Sequence, residues 1–330
     1  MKKVLDILIP RYTEQWKDIS PLLKSLAIQQ NVDFSKIGVI IRSDGYDEFT
    51  DIERLYNFPF SVDFDYCDKR GVSATRNACL DASEADYVMF CDADDMFSNV
   101  CGLWILFREF EGEGFDTLVS TFLEETRTPD KKEVTYINRE MDQTFVHGKV
   151  HRRKYLTDNH IRWNEKLTIH EDSYFNILCQ SLTEKAKHCP TPFYLWRWRD
   201  ESVCRHDEKY ILKTFNNMID SNDALIAELK RREREDKAKF FIVFMVFDAY
   251  YLMNKPEWKN QENKKYRDAT ERRFAKYYRK HRKDYDSVGA NDKMMISNQV
   301  RGRHVMEGME MENLTISEWL DKILKDNKKG

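Results

Sequence analysis

The fold is decided by Tyr87–Phe97, which reads YVMFCDADDMF. Tyr87, Val88, Met89, Phe90 and Cys91 form a run of apolar strand formers. The run is too short for a helix and does not alternate, so it reads as a strand covered on both faces. It ends abruptly in Asp92-Ala93-Asp94-Asp95. Three carboxylates at the mouth of a buried strand repel one another and call for a cation. A hard divalent ion with oxygen ligands suits them and can bridge to a phosphate. In open α/β sheets, ligands bind beyond the carboxyl ends of the strands. A polar strand-to-loop turn, with Asp95 capping a helix, explains the same four residues without a ligand. The flanking sequence decides between the two.

Upstream, Val4–Ile9 reads as a first strand stopped by Pro10. Ile19, Leu22, Leu23, Leu26 and Ala27 then recur at amphipathic-helix spacing within Trp16–Gln29. Ser20-Pro21 has the form of an N-cap followed by the first helical residue. Gly38–Ile41 is a second buried strand, running into Arg42-Ser43-Asp44-Gly45, and Ser61–Tyr66 a third. Gly71–Ala82 (GVSATRNACLDA) is a loop entering a helix that leads into the Tyr87 strand. This rhythm predicts a parallel sheet with helices on its faces. Polar residues at Pro10–Thr13, Ser43–Asp47 and Asp92–Asp95 would share one sheet edge, the geometry of a nucleotide crevice. Neither G-x-G-x-x-G nor G-x-x-x-x-G-K-[ST] occurs. A nucleotide here would need its phosphates held by metal and arginine.

Downstream, a helix is expected at Leu103–Phe110, a strand at Thr117–Phe122 and another at Phe193–Arg199 (FYLWRWR). His147–Tyr155 is basic. Glu171 and Asp172 open an apolar-periodic helix. The helix dipole alone favours carboxylates there, so this position permits a catalytic role without requiring one. Beyond about Tyr210, glycine and proline become scarce and charged helical sequence takes over, which sets expected domains of 1–209 and 210–330. On a helical wheel, Tyr266, Phe274, Tyr277, Tyr278 and Tyr285 share one face of Lys265–Tyr285. Lys265, Arg272, Lys276, Arg279 and Lys283 fall opposite, either merely solvated or docking an anionic acceptor.

The bounds agree with this organisation. At 330 residues and 41% hydrophobic, the chain can bury a sizeable core, which excludes global disorder. A formal charge of -3 gives no global reason for a polyanion partner. The seven cysteines contain no C-x-x-C pair, which fits neither a zinc site nor a disulfide framework and points to a reducing cytoplasm. The apolar run Phe240–Phe247 is far short of the roughly 20 residues of a membrane span, so a soluble protein is expected.

Taken together, five segments resemble family 2 glycosyltransferases of the GT-A fold. They are ILIPRYTE, IIRSDGYDE, GVSATRNACLDASEADYVMFCDADD, HGKVHRRKYLTDNHIRWNEKLTIHEDSYF and FYLWRWRDESV, in the family's order over about residues 4–205. The resemblance implies an α/β, Rossmann-like and mostly parallel sheet flanked by helices, with a C-terminal helical appendage the family does not account for. It implies that Pro10, Tyr12 and Asp44 hold the nucleobase and that Arg76 reaches the base or phosphates. Asp92 would contact the ribose and metal region, and Asp94 would bind Mn or Mg. Glu171 would lie on the acceptor side and Asp172 would act as general base. His206, in the loop after FYLWRWR, would add a metal or diphosphate contact. Thr13 stands where asparagine is common in the family, and Arg42-Ser43-Asp44 replaces its paired acidic residues.

The implied activity is inverting, metal-dependent transfer from a nucleotide sugar, expected to be a UDP-sugar. The acceptor would be a polysaccharide, a teichoic-acid-like polymer, a lipid-linked sugar or a modified DNA base. A second subunit is one place where the Phe240–Phe247 run could be buried. Two other readings compete. A nucleotidyltransferase would carry a glycine-rich phosphate loop, which is missing. A non-catalytic carbohydrate- or nucleic-acid-binding module would be marked by loss of Asp94 or Asp172, and both are present.

Overall fold

A computed structural model describes residues 2–46, 48–128, 130, 132–199, 210–303 and 315–327. Its first strands follow the apolar runs: β1 (Leu5–Arg11), β2 (Ile37–Asp44), β3 (Ser61–Cys67) and β4 (Tyr87–Phe90). β1 pairs in parallel with β2, from Leu5–Ile37 to Arg11–Ser43, and with β4, from Leu5–Tyr87 to Leu8–Phe90. β4 is buried throughout, β1 and β2 each keep one half-buried residue, and β3 shows the alternating exposure of an edge strand. Parallel pairing puts the ends of β1, β2 and β4 at one edge, where Arg11, Asp44 and Asp92 emerge.

Helix α1 (Trp16–Ala27) buries Ile19, Leu22, Leu23 and Leu26, and truncating one of these leucines to alanine would cost about 2–5 kcal/mol. It starts a turn before the Ser20-Pro21 signal. Gln15 opens it, with its N–H donated to the Asp18 carboxylate at 3.0 Å, and Pro21 sits inside the helix. The apolar stripe begins at Trp16, and burying it outweighs the one backbone bond that Pro21 cannot donate. Helix α2 (Val72–Ala82) starts at Gly71, whose φ of 92° lies in the left-handed region that glycine occupies at no steric cost.

The remainder of the sheet comes from β5 (Met96–Phe97), β6 (Thr117–Arg127), β7 (Val134–Arg139), β8 (Lys149–Arg152) and β9 (Ala186–Trp196). Between them run α3 (Gly102–Phe110), α4 (Arg153–Asp158) and α5 (Glu171–Ser181). The order is β3-β2-β1-β4-β8-β6-β9-β5, with β7 on β6. The sheet is mixed, more so than the mostly parallel sheet expected, because β8 lies antiparallel between β4 and β6. Apolar patterning reports burial and not strand direction, so this half could not be oriented from sequence. β9 begins at Ala186, well before FYLWRWR, and ends at Trp196. Pro190 and Pro192 disguise its first half, and a register shift opposite Ser120–Phe122 absorbs them.

The chain divides into two compact units, 1–200 and 201–330. The second is helical, with Tyr210–Arg231, Glu235–Met253, Pro256–Lys259, Lys264–Ser287, Ala290–Arg303 and Ile316–Asp326. The Phe240–Phe247 run sits within Glu235–Met253, where Ile242, Val243, Met245, Val246 and Phe247 are buried. That helix packs on Tyr210–Arg231, Lys264–Ser287 and Ala290–Arg303 of the same unit. Along Lys264–Ser287, Phe274, Tyr277, Tyr278 and Tyr285 are buried while Lys265, Arg272, Lys276, Arg279 and Lys283 are exposed. Among the described residues, no helix is long and apolar enough to cross a membrane.

Candidate active site

The carboxyl edge of β1, β2 and β4 gathers most of the chemistry-bearing residues of the first unit. Asp92 follows β4, and Arg76 on α2 donates Nη2 to its Oδ1 at 3.0 Å. The same guanidinium donates Nη1 to Glu171 Oε1 at 2.9 Å, at the start of α5. Arg76 is only 4% exposed and lies over the Trp163 ring at 4.4 Å. Burial alone would lower its proton affinity, but Asp92, Glu171 and Asp172 outweigh that and raise it, so the guanidinium stays charged. Its next neighbour, Asn77, brackets the backbone of Trp163, accepting from its N–H and donating to its carbonyl, both at 3.0 Å.

Asp172 stands beside Glu171 in the first turn of α5. Burial lifts its carboxyl to about 7, the Glu171 charge adds to the rise, and Arg76 opposes it. His170, just before the helix, holds a left-handed φ of 61°, an uncommon conformation that tends to mark functional sites. On β8, burial lowers the ammonium of Lys149 to about 8, against the pull of Asp142 and Asp172.

The three carboxylates after β4 part company. Asp94 Oδ2 accepts from Arg199 Nη1 at 2.8 Å, and Arg197 Nη1 donates to the Asp94 carbonyl at 3.0 Å. Asp95 does not cap a helix. It turns into the protein, accepting from the Tyr194 hydroxyl at 2.6 Å and the Arg197 N–H at 3.0 Å. Burial raises its carboxyl well above the ordinary range, with Asp94 and Asp92 adding to the shift. The Tyr194 hydroxyl in turn accepts from the Asp92 N–H at 3.1 Å. The D-A-D-D turn is therefore latched to the end of β9.

The donor chemistry fits a divalent ion. Ligand atoms of Asp92, Asp95 and His147 all lie within 4.8 Å of one another, a set of hard oxygens plus an imidazole nitrogen. Asp95 is the poorest of the three, since both its oxygens already accept hydrogen bonds. The Asp94 carboxylate is 28% exposed and can exchange its Arg199 partner for an ion, while Asp92, 33% exposed, engages Arg76 through Oδ1 and keeps Oδ2 for a ligand role.

The nucleobase candidates lie at and just beyond the ends of β1 and β2. Pro10 is half-buried at the end of β1. Exposed Tyr12 carries the Lys69 ammonium 2.8 Å from its hydroxyl and 4.6 Å from its ring centroid. Asp44 is buried and accepts from the N–H groups of Arg70 at 2.8 Å and Gly71 at 3.1 Å, so it braces the turn into α2. His206 lies outside the described residues.

Sequence reasoning assigned no role to His147, Lys149, Arg197 and Arg199, and weighed Asp95 only within the carboxylate cluster or as a helix cap. The signal for the arginines was the cationic content of FYLWRWR after an aromatic strand. For His147 there was none, because it meets Asp95 only once β8 has folded beside β4.

The sequence profile of glycosyl transferase family 2 matches residues 6–177. No curated protein sequence matches the chain. Among solved structures, residues 1–349 of TarS from S. aureus superpose with a TM-score of 0.66 at 16% identity, covering 100% of this chain and 92% of that one. The same protein with UDP-GlcNAc gives 0.61 at 17% identity, covering 95% and 97%. The mannosyltransferase PcManGT from Pyrobaculum calidifontis, with GDP-Man and Mn2+, gives 0.52 at 10% identity, covering 100% and 88%. At these identities the likeness is one of fold, and that fold is GT-A.

Proposed function

The chain belongs to glycosyl transferase family 2, and from that premise we propose that it moves a sugar from a nucleotide sugar, a UDP-sugar, to an acceptor hydroxyl with inversion. The observation that carries this reading is the bridge Asp92–Arg76–Glu171. It joins the carboxylate after β4, where a donor diphosphate belongs, to the helix start that presents Asp172. The UDP and UDP-GlcNAc complexes of the TarS fold support the choice of uridine.

Asp172 is the general base. A carboxyl near 7 keeps a large ionised fraction at neutral pH and accepts a hydroxyl proton better than an ordinary aspartate. Asp92 and Asp94 would hold a divalent ion, with His206 as a further ligand. When bound, such an ion neutralises charge on the departing diphosphate, worth several kcal/mol. Pro10, Tyr12 and Asp44 would form the base pocket. The aromatic face of Tyr12 suits stacking, and Asp44 would accept from an imide N–H with lone pairs its backbone donors leave. One base opposite the leaving group gives direct displacement. With Asp172 taking the acceptor proton, the hydroxyl displaces the diphosphate directly and the reaction needs no covalent intermediate.

The helical unit would handle the acceptor. The test of the whole reading is a screen of nucleotide sugars for nucleoside diphosphate release, with Mn, with Mg and in EDTA. Release from no donor under any condition would overturn it.

A further inference from the structure

Arg76 makes an arrangement that a simple ligand contact would not need. Its two terminal nitrogens serve different carboxylates on different elements, Asp92 after β4 and Glu171 at the start of α5. Its Nε is buried with no partner, so the side chain is placed for the fork and not for full satisfaction of its donors. Its flat face covers Trp163 at 4.4 Å, and Trp163 stacks on Phe175 with ring centroids 4.1 Å apart and planes 6° from parallel. Phe175 is three residues after Asp172 and so lies on the same face of α5. Phe90, the last residue of β4, meets both rings edge-on, at 5.1 Å and 5.7 Å. The guanidinium thus ends a stack that sets the rotation of the base helix, and its fork sets the spacing of that helix from Asp92.

We infer that Arg76 is a positioning residue, a charged strut that fixes the separation between the donor-side carboxylate Asp92 and the helix start carrying Asp172. This rests on the sugar-transfer reading above and gives Arg76 a different role from a contact to base or phosphate. Geometry favours the strut, because a side chain 5% exposed and engaged at both ends has little freedom to follow a substrate. A planar fork is also what arginine offers and lysine does not. Losing the alignment of base and donor by about 1 Å can cost about 100-fold in rate.

The experiment compares Arg76→Lys, Arg76→Gln and Glu171→Gln in the full chain, using the donor found in the screen. Glu171→Gln cuts the strut at its acceptor end, so kcat should fall about 10–100-fold while UDP affinity by calorimetry changes little. Arg76→Lys keeps the charge but cannot span both carboxylates, so its kcat should fall with the pH profile near that of the wild type.

The pH profile reports the charges around Asp172, and Arg76→Lys, which keeps the charge, separates alignment from charge. The charges facing Asp172 are Glu171 on its own helix, Arg76 from α2, Asp92 after β4 and Lys149 from β8. Arg76→Gln removes a cation and should move the rising limb to higher pH. Glu171→Gln removes an anion and should move it lower. A purely structural residue would lower Tm and leave the kcat per folded molecule in place. That outcome, or wild-type kcat in Arg76→Lys, overturns the strut. If the wild type turns over no donor, the sugar-transfer reading has failed. The strut is then tested by amide exchange across residues 170–173 in Arg76→Lys, where protection unchanged from the wild type rejects it.

Discussion

Arg199 reaches back from the end of β9 to Asp94, Nη1 to Oδ2 at 2.8 Å, and so closes one side of the D-A-D-D turn with a positive charge. A divalent ion would compete with Arg199 for the same carboxylate. Asp94→Ala should therefore abolish the Mn-dependent part of UDP binding in calorimetry. Arg199→Gln should tighten binding of Mn alone by about 2–5-fold, the equivalent of a partly exposed ion pair worth about 0.5–1 kcal/mol. Equal UDP affinity in Asp94→Ala, in the wild type and in EDTA would sink the metal assignment. Unchanged Mn affinity in Arg199→Gln would sink the competition.

Asp172 gives a second prediction with a definite sign. A base works ionised, so kcat/KM should rise with pH through an apparent pKa of about 7. Asp172→Asn should lose about 10²- to 10⁴-fold in transfer with UDP affinity nearly intact. Stability should move the other way. A folded carboxyl raised to about 7 from an ordinary 3.8 binds its proton more tightly than the unfolded chain does, so folding loses stability as pH climbs between those values. Asp172→Asn should then match or exceed the wild-type Tm at pH 8 and lose that advantage at pH 4. Near-normal turnover in the mutant would return Asp172 to an ordinary helix N-terminal carboxylate.

These assignments show what sequence can carry. β1, β2, β4 and α2 were legible because apolar runs bounded by polar turns encode burial locally. Asp92, Asp94, Asp172 and Arg76 stand out in the sequence as positions of a family pattern, and their roles are the proposal above. The partners were not. That Arg76 bridges Asp92 and Glu171 depends on α5 returning beside β4, and that Asp95 turns inward depends on Tyr194 arriving from β9. Such contacts span about 100 residues of chain and leave no local periodicity. The direction of β8 was invisible for the same reason.

Asn77, next to Arg76, yields a prediction about how the 163–165 segment is held. It is 3% exposed, with its amide donating to the Trp163 carbonyl and to Glu165, and its oxygen accepting from the Trp163 N–H. Alanine leaves the Trp163 backbone groups buried without partners. Asn77→Ala should destabilise by about 2–3 kcal/mol in urea unfolding. It should also loosen the 163–165 segment, seen as faster amide exchange at Trp163. A loss below about 0.5 kcal/mol, the level of a surface change, would mean the bracket is dispensable.

The helix Lys264–Ser287 supplies the last prediction. Lys265, Arg272, Lys276 and Lys283 are exposed and spaced by seven, four and seven residues, which sets them in a straight row about 27 Å long. Other cations of this helix are engaged. Arg273 pairs with Asp220, Lys280 with Asp223, and Arg279 donates to the carbonyls of Leu324 and Asn327. The row of four makes no ion pair among the described residues, while the opposite face buries Phe274, Tyr277, Tyr278 and Tyr285. A helix needs no such row to stay folded, and its one i,i+4 pair, Arg272 and Lys276, repels by a few tenths of a kcal/mol. We expect it to meet an anionic acceptor, whose affinity would fall as salt rises. Changing all four residues to glutamate should leave donor hydrolysis intact, lower transfer to the acceptor and flatten its salt dependence. Transfer untouched at low salt would mean that this face is only solvated and that the acceptor enters elsewhere.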